Sequence, residues 1–196
     1  MKTIINVLVL LVILVCVYVL YLSIKEPLDF KAEKDARTGA VVTRLKTIKD
    51  CQEMHRDIYG SFAKNFEELA SHLKVGKFRT IRVIGDPDDP SFKGKITYDT
   101  LYESAFDSIR HLGYNLDSLA YVPFANGTKF DMQTDTILQG VTIIDVLECG
   151  IQRKAFMGKY ADPMYKKFDN RYDPDSKIKF GDLNSPSLAG NWEGKN

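Results

Sequence analysis

From Ile4 to Ile24 the chain carries no charge, and only Asn6, Cys16, Tyr18, Tyr21 and Ser23 interrupt a run of Val, Leu and Ile. About 20 apolar residues, each rising about 1.5 Å, cross the roughly 30 Å hydrocarbon layer of a bilayer. The run therefore predicts a transmembrane helix. It exceeds the roughly 7–15 residues of a signal-peptide core, and its exit, Ser23-Ile24-Lys25-Glu26-Pro27, has no small-x-small cleavage site. Val15 before Cys16 makes a poor lipoprotein box. An uncleaved anchor over residues 1–25 is expected, with Tyr18 and Tyr21 suited to a membrane interface.

Beyond the anchor the period changes. Pro27 is placed to start a new helical turn, since proline is tolerated at a helix start. Val41, Leu45, Ile48, Cys51, His55, Ile58 and Tyr59 recur at three and four, with Arg44, Lys46, Lys49, Asp50, Glu53, Arg56 and Asp57 between them. That is the apolar stripe of a long amphipathic helix, spanning 26–60 and ended by Gly60. Asn65 with Glu68 caps a second helix through Phe66, Leu69, Ala70 and Leu73.

After Lys74 the pattern shortens to alternation. Strands are expected at 80–84, 119–124, 128–132 and 141–148, with Asn126-Gly127 as a hairpin turn and 152–156 pairing back across Gly150. Ser104 to Leu112 fits a short helix. The predicted fold is α+β: a transmembrane helix continuing into a long amphipathic helix packed on a small antiparallel sheet. The α+β body occupies 61–159. Residues 160–196, rich in Asp, Lys, Asn, Pro and Gly, read as a mostly irregular tail with Trp192 as a docking point. The expected core includes Leu45, Ile48, Val122, Phe130, Ile143 and Val146.

Charge and chemistry narrow the function. With 27 basic and 26 acidic residues the net charge is +1, without the basic excess of a nucleic-acid binder. The three cysteines form no CxxC pair and no Cys/His motif for zinc. Cys51 and Cys149 are either buried free thiols, the commoner fate, or a disulfide in an oxidising compartment. His55 lies on the apolar stripe four residues from Cys51, a position that suits a packed histidine far better than a nucleophile pair lacking an orienting group. His72 and His111 read as surface or helix-end residues. No Gly-x-Ser-x-Gly elbow, phosphate loop or dinucleotide fingerprint occurs. Asp86, Asp88 and Asp89, and again Asp169, Asp173 and Asp175, cluster without calcium-loop spacing and read as solvated turns. No enzyme, cofactor or metal is expected.

The helix segment Arg44 to Phe62, with Ile48-x-x-x-Gln52 and Tyr59-Gly60-x-Phe62, followed by Phe66-x-Glu68-Leu69, resembles type IV pilins and type II secretion pseudopilins. Over the whole chain, Asp117 to Gly127 and Ala189-Gly190-Asn191-Trp192-Glu193 resemble a family of uncharacterised single-pass envelope proteins of Bacteroidota. The likeness implies architecture rather than chemistry. It departs from pilins before Ile24, where neither a Gly nor an acidic residue occurs, so processing by a prepilin peptidase is not expected.

Exported proteins of that group can carry O-glycans on Asp-Ser/Thr-aliphatic triplets. Four such triplets place candidates at Thr100, Ser108, Ser118 and Thr136, against roughly one expected from composition. Asp and Thr also populate turns and strand ends for purely structural reasons.

Lys25, Lys31, Lys34 and Arg37 outnumber Lys2 across the anchor, and a simple positive-inside count would put the body in the cytoplasm. The very short N-terminal tail and the envelope resemblance favour the opposite: an inner-membrane protein with its body in the periplasm. The expected function is a non-enzymatic, pilin-like scaffold subunit of a cell-envelope assembly. Its partners are the lipid bilayer and other envelope proteins, self-association included, docked through Val41, Val42, Leu45 and Ile48. The alternative is a periplasmic ligand- or glycan-binding sensor, which requires a pocket lined by aromatics such as Tyr98, Tyr102 and Tyr114.

Overall fold

The computed structural model describes residues 2–84 and 97–193. The acidic loop of Asp86, Asp88 and Asp89 lies outside the described residues. The fold is α+β, a long N-terminal helix against small antiparallel sheets.

Helix α1 is a single element, Lys2–Tyr59, 58 residues long. At about 1.5 Å per residue it extends about 87 Å. It passes through Pro27 without a break, so the anchor and the amphipathic helix are not separate elements. The missing proline N–H costs one hydrogen bond to residue 23, but good helix formers on both sides carry the helix across.

The two halves of α1 meet different surroundings. From Ile4 to Ile24 every side chain is exposed, and this stretch is long and apolar enough to cross a membrane. From Phe30 onward a stripe of Phe30, Val41, Leu45, Ile48, Cys51, Gln52 and His55 is buried. Each large apolar side chain removed from water there contributes about 1.5–3 kcal/mol.

The charged face also engages the body instead of standing in solvent. Lys34 Nζ donates to Asp169 at 2.7 Å, Arg37 Nη1 to the Phe156 carbonyl at 2.9 Å and Arg44 Nη1 to the Ser118 carbonyl at 2.7 Å. Asp50 accepts from the Tyr114 hydroxyl at 2.7 Å. That bond, more than the burial and the Asp50 charge that add to it, raises the phenol to about 12.

Gly60 ends α1 with φ +80°, the left-handed region that favours glycine, and its N–H returns to the Arg56 carbonyl. Helix α2, Phe66–Val75, then folds back, capped by Asn65 Oδ1, which accepts from the Glu68 N–H at 2.8 Å. Strands β1, Lys77–Ile84, and β2, Thr97–Ser104, form an antiparallel ribbon of their own. Helix α3, Ala105–His111, follows, capped by Ser104.

The second sheet has order β3-β4-β5, built from Asp131–Gln139, Thr142–Gln152 and Lys177–Gly181. Here the expected strands shift. Asn126-Gly127 does turn the chain, with φ 43° and 83° and a Thr128 N–H to Ala125 carbonyl bond, but its flanks share only the Tyr121–Lys129 bridge. The cause lies just upstream. Phe124 is forced to φ 65°, the Ala125 N–H bonds Val122, and Pro123 has no N–H to give a ladder.

Residues 152–156 do not form a returning strand; β4 runs through Gly150 to Gln152, and Arg153–Ala155 is a 3₁₀ turn. Ile143 is not in the core but 72 % exposed. The β3–β4 hairpin projects past β5, which covers only Glu148 to Gln152. The other five expected core residues, Leu45, Ile48, Val122, Phe130 and Val146, are all buried.

The C-terminal segment is the largest departure from the expected irregular tail. It supplies β5 and buries Tyr160, Tyr172, Ile178 and Phe180. Gly181, at φ +79°, lets β5 lie so close that an added Cβ would strike the Leu147 carbonyl oxygen. Around Phe30 the same segment builds an aromatic collar, with ring centres of Tyr160, Tyr165, Phe168 and Tyr172 at 5.5, 5.4, 6.0 and 5.0 Å. Such pairs add about 0.5–1.5 kcal/mol each beyond area burial. The collar grips α1 six residues above Ile24. Trp192 packs against the core as expected.

Candidate functional site

The residues proposed for partner docking are mostly spoken for. Val41, Leu45 and Ile48 are fully buried and Val42 packs partly against the same core. The stripe finds its complementary surface in its own body, so docking through it is corrected. The aromatics required by the sensor alternative do not converge. Tyr98 and Tyr102 stand exposed on one face of the β1–β2 ribbon, whereas Tyr114 lines a groove beside Arg44 and holds Asp50.

Cys51 and Cys149 are free and buried, so the disulfide alternative is not formed. Burial, with the Asp50 charge, pushes the Cys51 thiol up to about 12, and burial raises Cys149 as well. Burial of this kind disfavours the thiolate that a nucleophile needs. Thr100 and Thr136 are exposed on strands. Ser108 is half-buried and donates back to the Ser104 carbonyl, and the Ser118 hydroxyl already takes a bond from Arg44. The acidic tail residues point to different lysines: Asp169 to Lys34, Asp173 to Lys166 and Asp175 to Lys154.

What the fold does assemble lies where α2 turns back on the end of α1. Gln52 and His55, both buried, hold the connecting turn from inside the core. The Gln52 amide exchanges two bonds with the Ala63 backbone, donating at 3.1 Å and accepting at 2.9 Å. His55 Nδ1 meets the Ser61 carbonyl at 2.7 Å. A carbonyl can only accept, so Nδ1 carries the proton and, in the neutral ring, His55 Nε2 keeps its lone pair. That lone pair faces His72 Nδ1 at 2.9 Å.

The two imidazole planes differ by 10° with centres 5.2 Å apart. With a 2.9 Å nitrogen contact this places them edge to edge in one plane, not one ring over the other. Tyr59 covers both rings, at 4.8 and 4.7 Å between centres. The Glu68 carboxylate completes the group: one ligand atom each from His55, Glu68 and His72 lie within 4.8 Å of one another. Its Oε2 also accepts from the Lys64 N–H at 2.8 Å.

His55 was expected as a packed histidine and His72 as a helix-end residue; the structure makes them partners. A signal was present, since Glu68 and His72 stand four apart on α2 and share one face. What periodicity could not supply is the turn that swings this face onto His55.

No family model, curated protein or solved structure matches this chain.

Proposed function

We propose that this protein is a non-enzymatic, single-pass scaffold subunit of a cell-envelope assembly, with the body displayed on the periplasmic side of the inner membrane. One observation carries this: α1 runs unbroken from an apolar stretch with no cover among the described residues into the centre of the body's core. A flexible linker would merely tether the body. A continuous helix clamped by the Phe30 collar and by Lys34, Arg37 and Arg44 fixes its height and orientation above the membrane. Rigid presentation is what a structural subunit needs.

The pilin-like order of elements in the first 75 residues fits the same role, with the apolar stripe spent on the protein's own body. Buried thiols with raised pKa values and engaged histidines supply no free nucleophile at this end of the molecule.

Affinity purification from detergent-solubilised membranes tests the proposal. A stoichiometric complex with other membrane proteins, or with further copies of this chain, is expected. A lone monomer after mild cross-linking would refute it. Orientation is tested separately with a Lys46→Cys variant on the exposed face of α1. A membrane-impermeant thiol reagent added to spheroplasts should label it without lysis.

A further inference from the structure

We propose that His55, His72 and Glu68 form a binding site for a divalent transition-metal cation of the zinc class. The donors fit that chemistry. Two imidazoles and one carboxylate suit zinc and its neighbours, whereas calcium and magnesium require sets of oxygen ligands. Three protein ligands leave one tetrahedral position open, for water or for a donor from another molecule.

The supporting hydrogen bond is in place. A metal-bound histidine characteristically gives its other ring N–H to a carbonyl or carboxylate, which fixes the tautomer and aims the lone pair. His55 does this through Nδ1–H to the Ser61 carbonyl, and Nε2 points into the cluster. His72 meets it from α2, and Glu68 stands one turn earlier on the same face.

The hydrogen-bonded separation of 2.9 Å is shorter than the metal-bound one would be. Two nitrogens each about 2.05 Å from a tetrahedral zinc lie about 3.3 Å apart. The nitrogens must therefore part by about 0.4 Å and, because they now face each other head-on, the ring axes must turn until they converge on the cation at a tetrahedral angle. With His55, 2 % exposed, as the fixed ligand, a cation about 2.05 Å along its Nε2 axis requires His72 Nδ1 to swing aside by about 2 Å, a side-chain rotation of a half-buried residue on a ten-residue helix. The proton now between the nitrogens moves to His72 Nε2, so the ring changes tautomer and no net proton is lost. Glu68 retains Oε1 for the cation while Oε2 keeps the Lys64 N–H.

The site would tie α2 to the end of α1, about 45 Å along the helix from the last residue of the apolar run. It does not depend on the scaffold proposal.

The test uses the full chain in detergent, stripped with a chelator and titrated with ZnCl2 by calorimetry and with CoCl2 by visible absorption. One equivalent should bind, Co2+ should show a tetrahedral ligand-field spectrum, and Zn2+ should raise the melting temperature as binding to the native state requires. His72→Ala and Glu68→Gln should each weaken binding by more than about 100-fold, beyond the roughly 10–100-fold that loss of an outer-shell partner alone costs. They should also abolish the thermal shift, while His111→Ala should change neither. Circular dichroism establishes that both variants remain folded, and His72→Gln replaces His72→Ala if the latter does not. No saturable binding at micromolar cation, or one equivalent retained in folded His72 and Glu68 variants, would overturn the site and leave the histidines as a structural hydrogen-bonded pair.

Discussion

Residues 4–24 and residues 30–59 belong to one helix, yet none of the described residues covers the first and nearly every turn of the second is gripped. Leu14 is 62 % exposed and Leu45 is fully buried. Chemically similar side chains on the same helix thus have different surroundings: a protein core for Leu45, and for Leu14 no cover among the described residues, where the proposed placement puts lipid. The backbone needs no change at the boundary, because an α-helix satisfies its own hydrogen bonds in either medium. What changes is the sequence pattern, from apolar all round to a single stripe. The stability of the body should therefore depend on the second half alone.

The sharpest contrast comes from placing the same charge in both halves. Leu45→Asp should destabilise the body by about 4 kcal/mol or more, since it buries an unpaired carboxylate, and should abolish the cooperative melt. Leu14→Asp should leave the melting temperature unchanged in detergent and act only on membrane insertion, where a central Asp costs about 2.5–3.5 kcal/mol. Equal losses of body stability would erase the distinction.

Phe30→Ala probes the boundary itself. Removing the ring at the centre of the collar should cost about 3–5 kcal/mol by thermal or urea unfolding. It should also free the 160–172 segment for proteolysis. Loss of order near Phe30 with no change at β5 would show that the collar folds separately.

At the far end, Gln52→Leu strands the Ala63 N–H and carbonyl in a buried turn and should cost about 1–3 kcal/mol.

Acid should act through Glu148. Burial opposes its charge, but hydrogen bonds from Lys179 and Lys177 outweigh this and hold the carboxyl below its ordinary value. A depressed folded-state pKa stabilises the protein above the unfolded value of about 4.3 and is lost as pH falls through the folded one. Stability should therefore decline below about pH 4.3, and Glu148→Gln should flatten that part of the profile while lowering stability at pH 7.

The smallest effect is expected at the helix surface. Glu33→Gln removes the pair with Arg37 and should change stability by only about 0.2–0.5 kcal/mol, because Arg37 keeps the Phe156 carbonyl.

Much of this division was readable from the residues. The anchor, the stripe ending at Gly60, the Asn65 cap and the helix near 105–111 follow from period and capping chemistry, which are local. The collar was not readable. Tyr160 and Tyr165 sit in short 3₁₀ turns and Phe168 and Tyr172 in the irregular chain after them, so they have no common period, and their partner Phe30 lies more than 120 residues away. Strand β5 hides for the same reason: Lys177-Ile178-Lys179-Phe180-Gly181 is short and looks like polar tail until β4 pairs with it. The histidine cluster is intermediate. Glu68 and His72 share a face by spacing alone, but His55 joins them only through a tertiary turn.

Native Cys16 tests the central division most directly. It lies in the apolar half, exposed, with no cover among the described residues. If lipid shields it, as the proposed placement requires, a water-soluble maleimide should fail to label it in membranes opened on both sides. Lys46→Cys should react fully under the same conditions, and Cys16 should react once lipid is removed and the chain denatured. Labelling of Cys16 in intact bilayers, at a rate comparable to the Lys46→Cys thiol, would show that the apolar half is not in the membrane and would contradict the account.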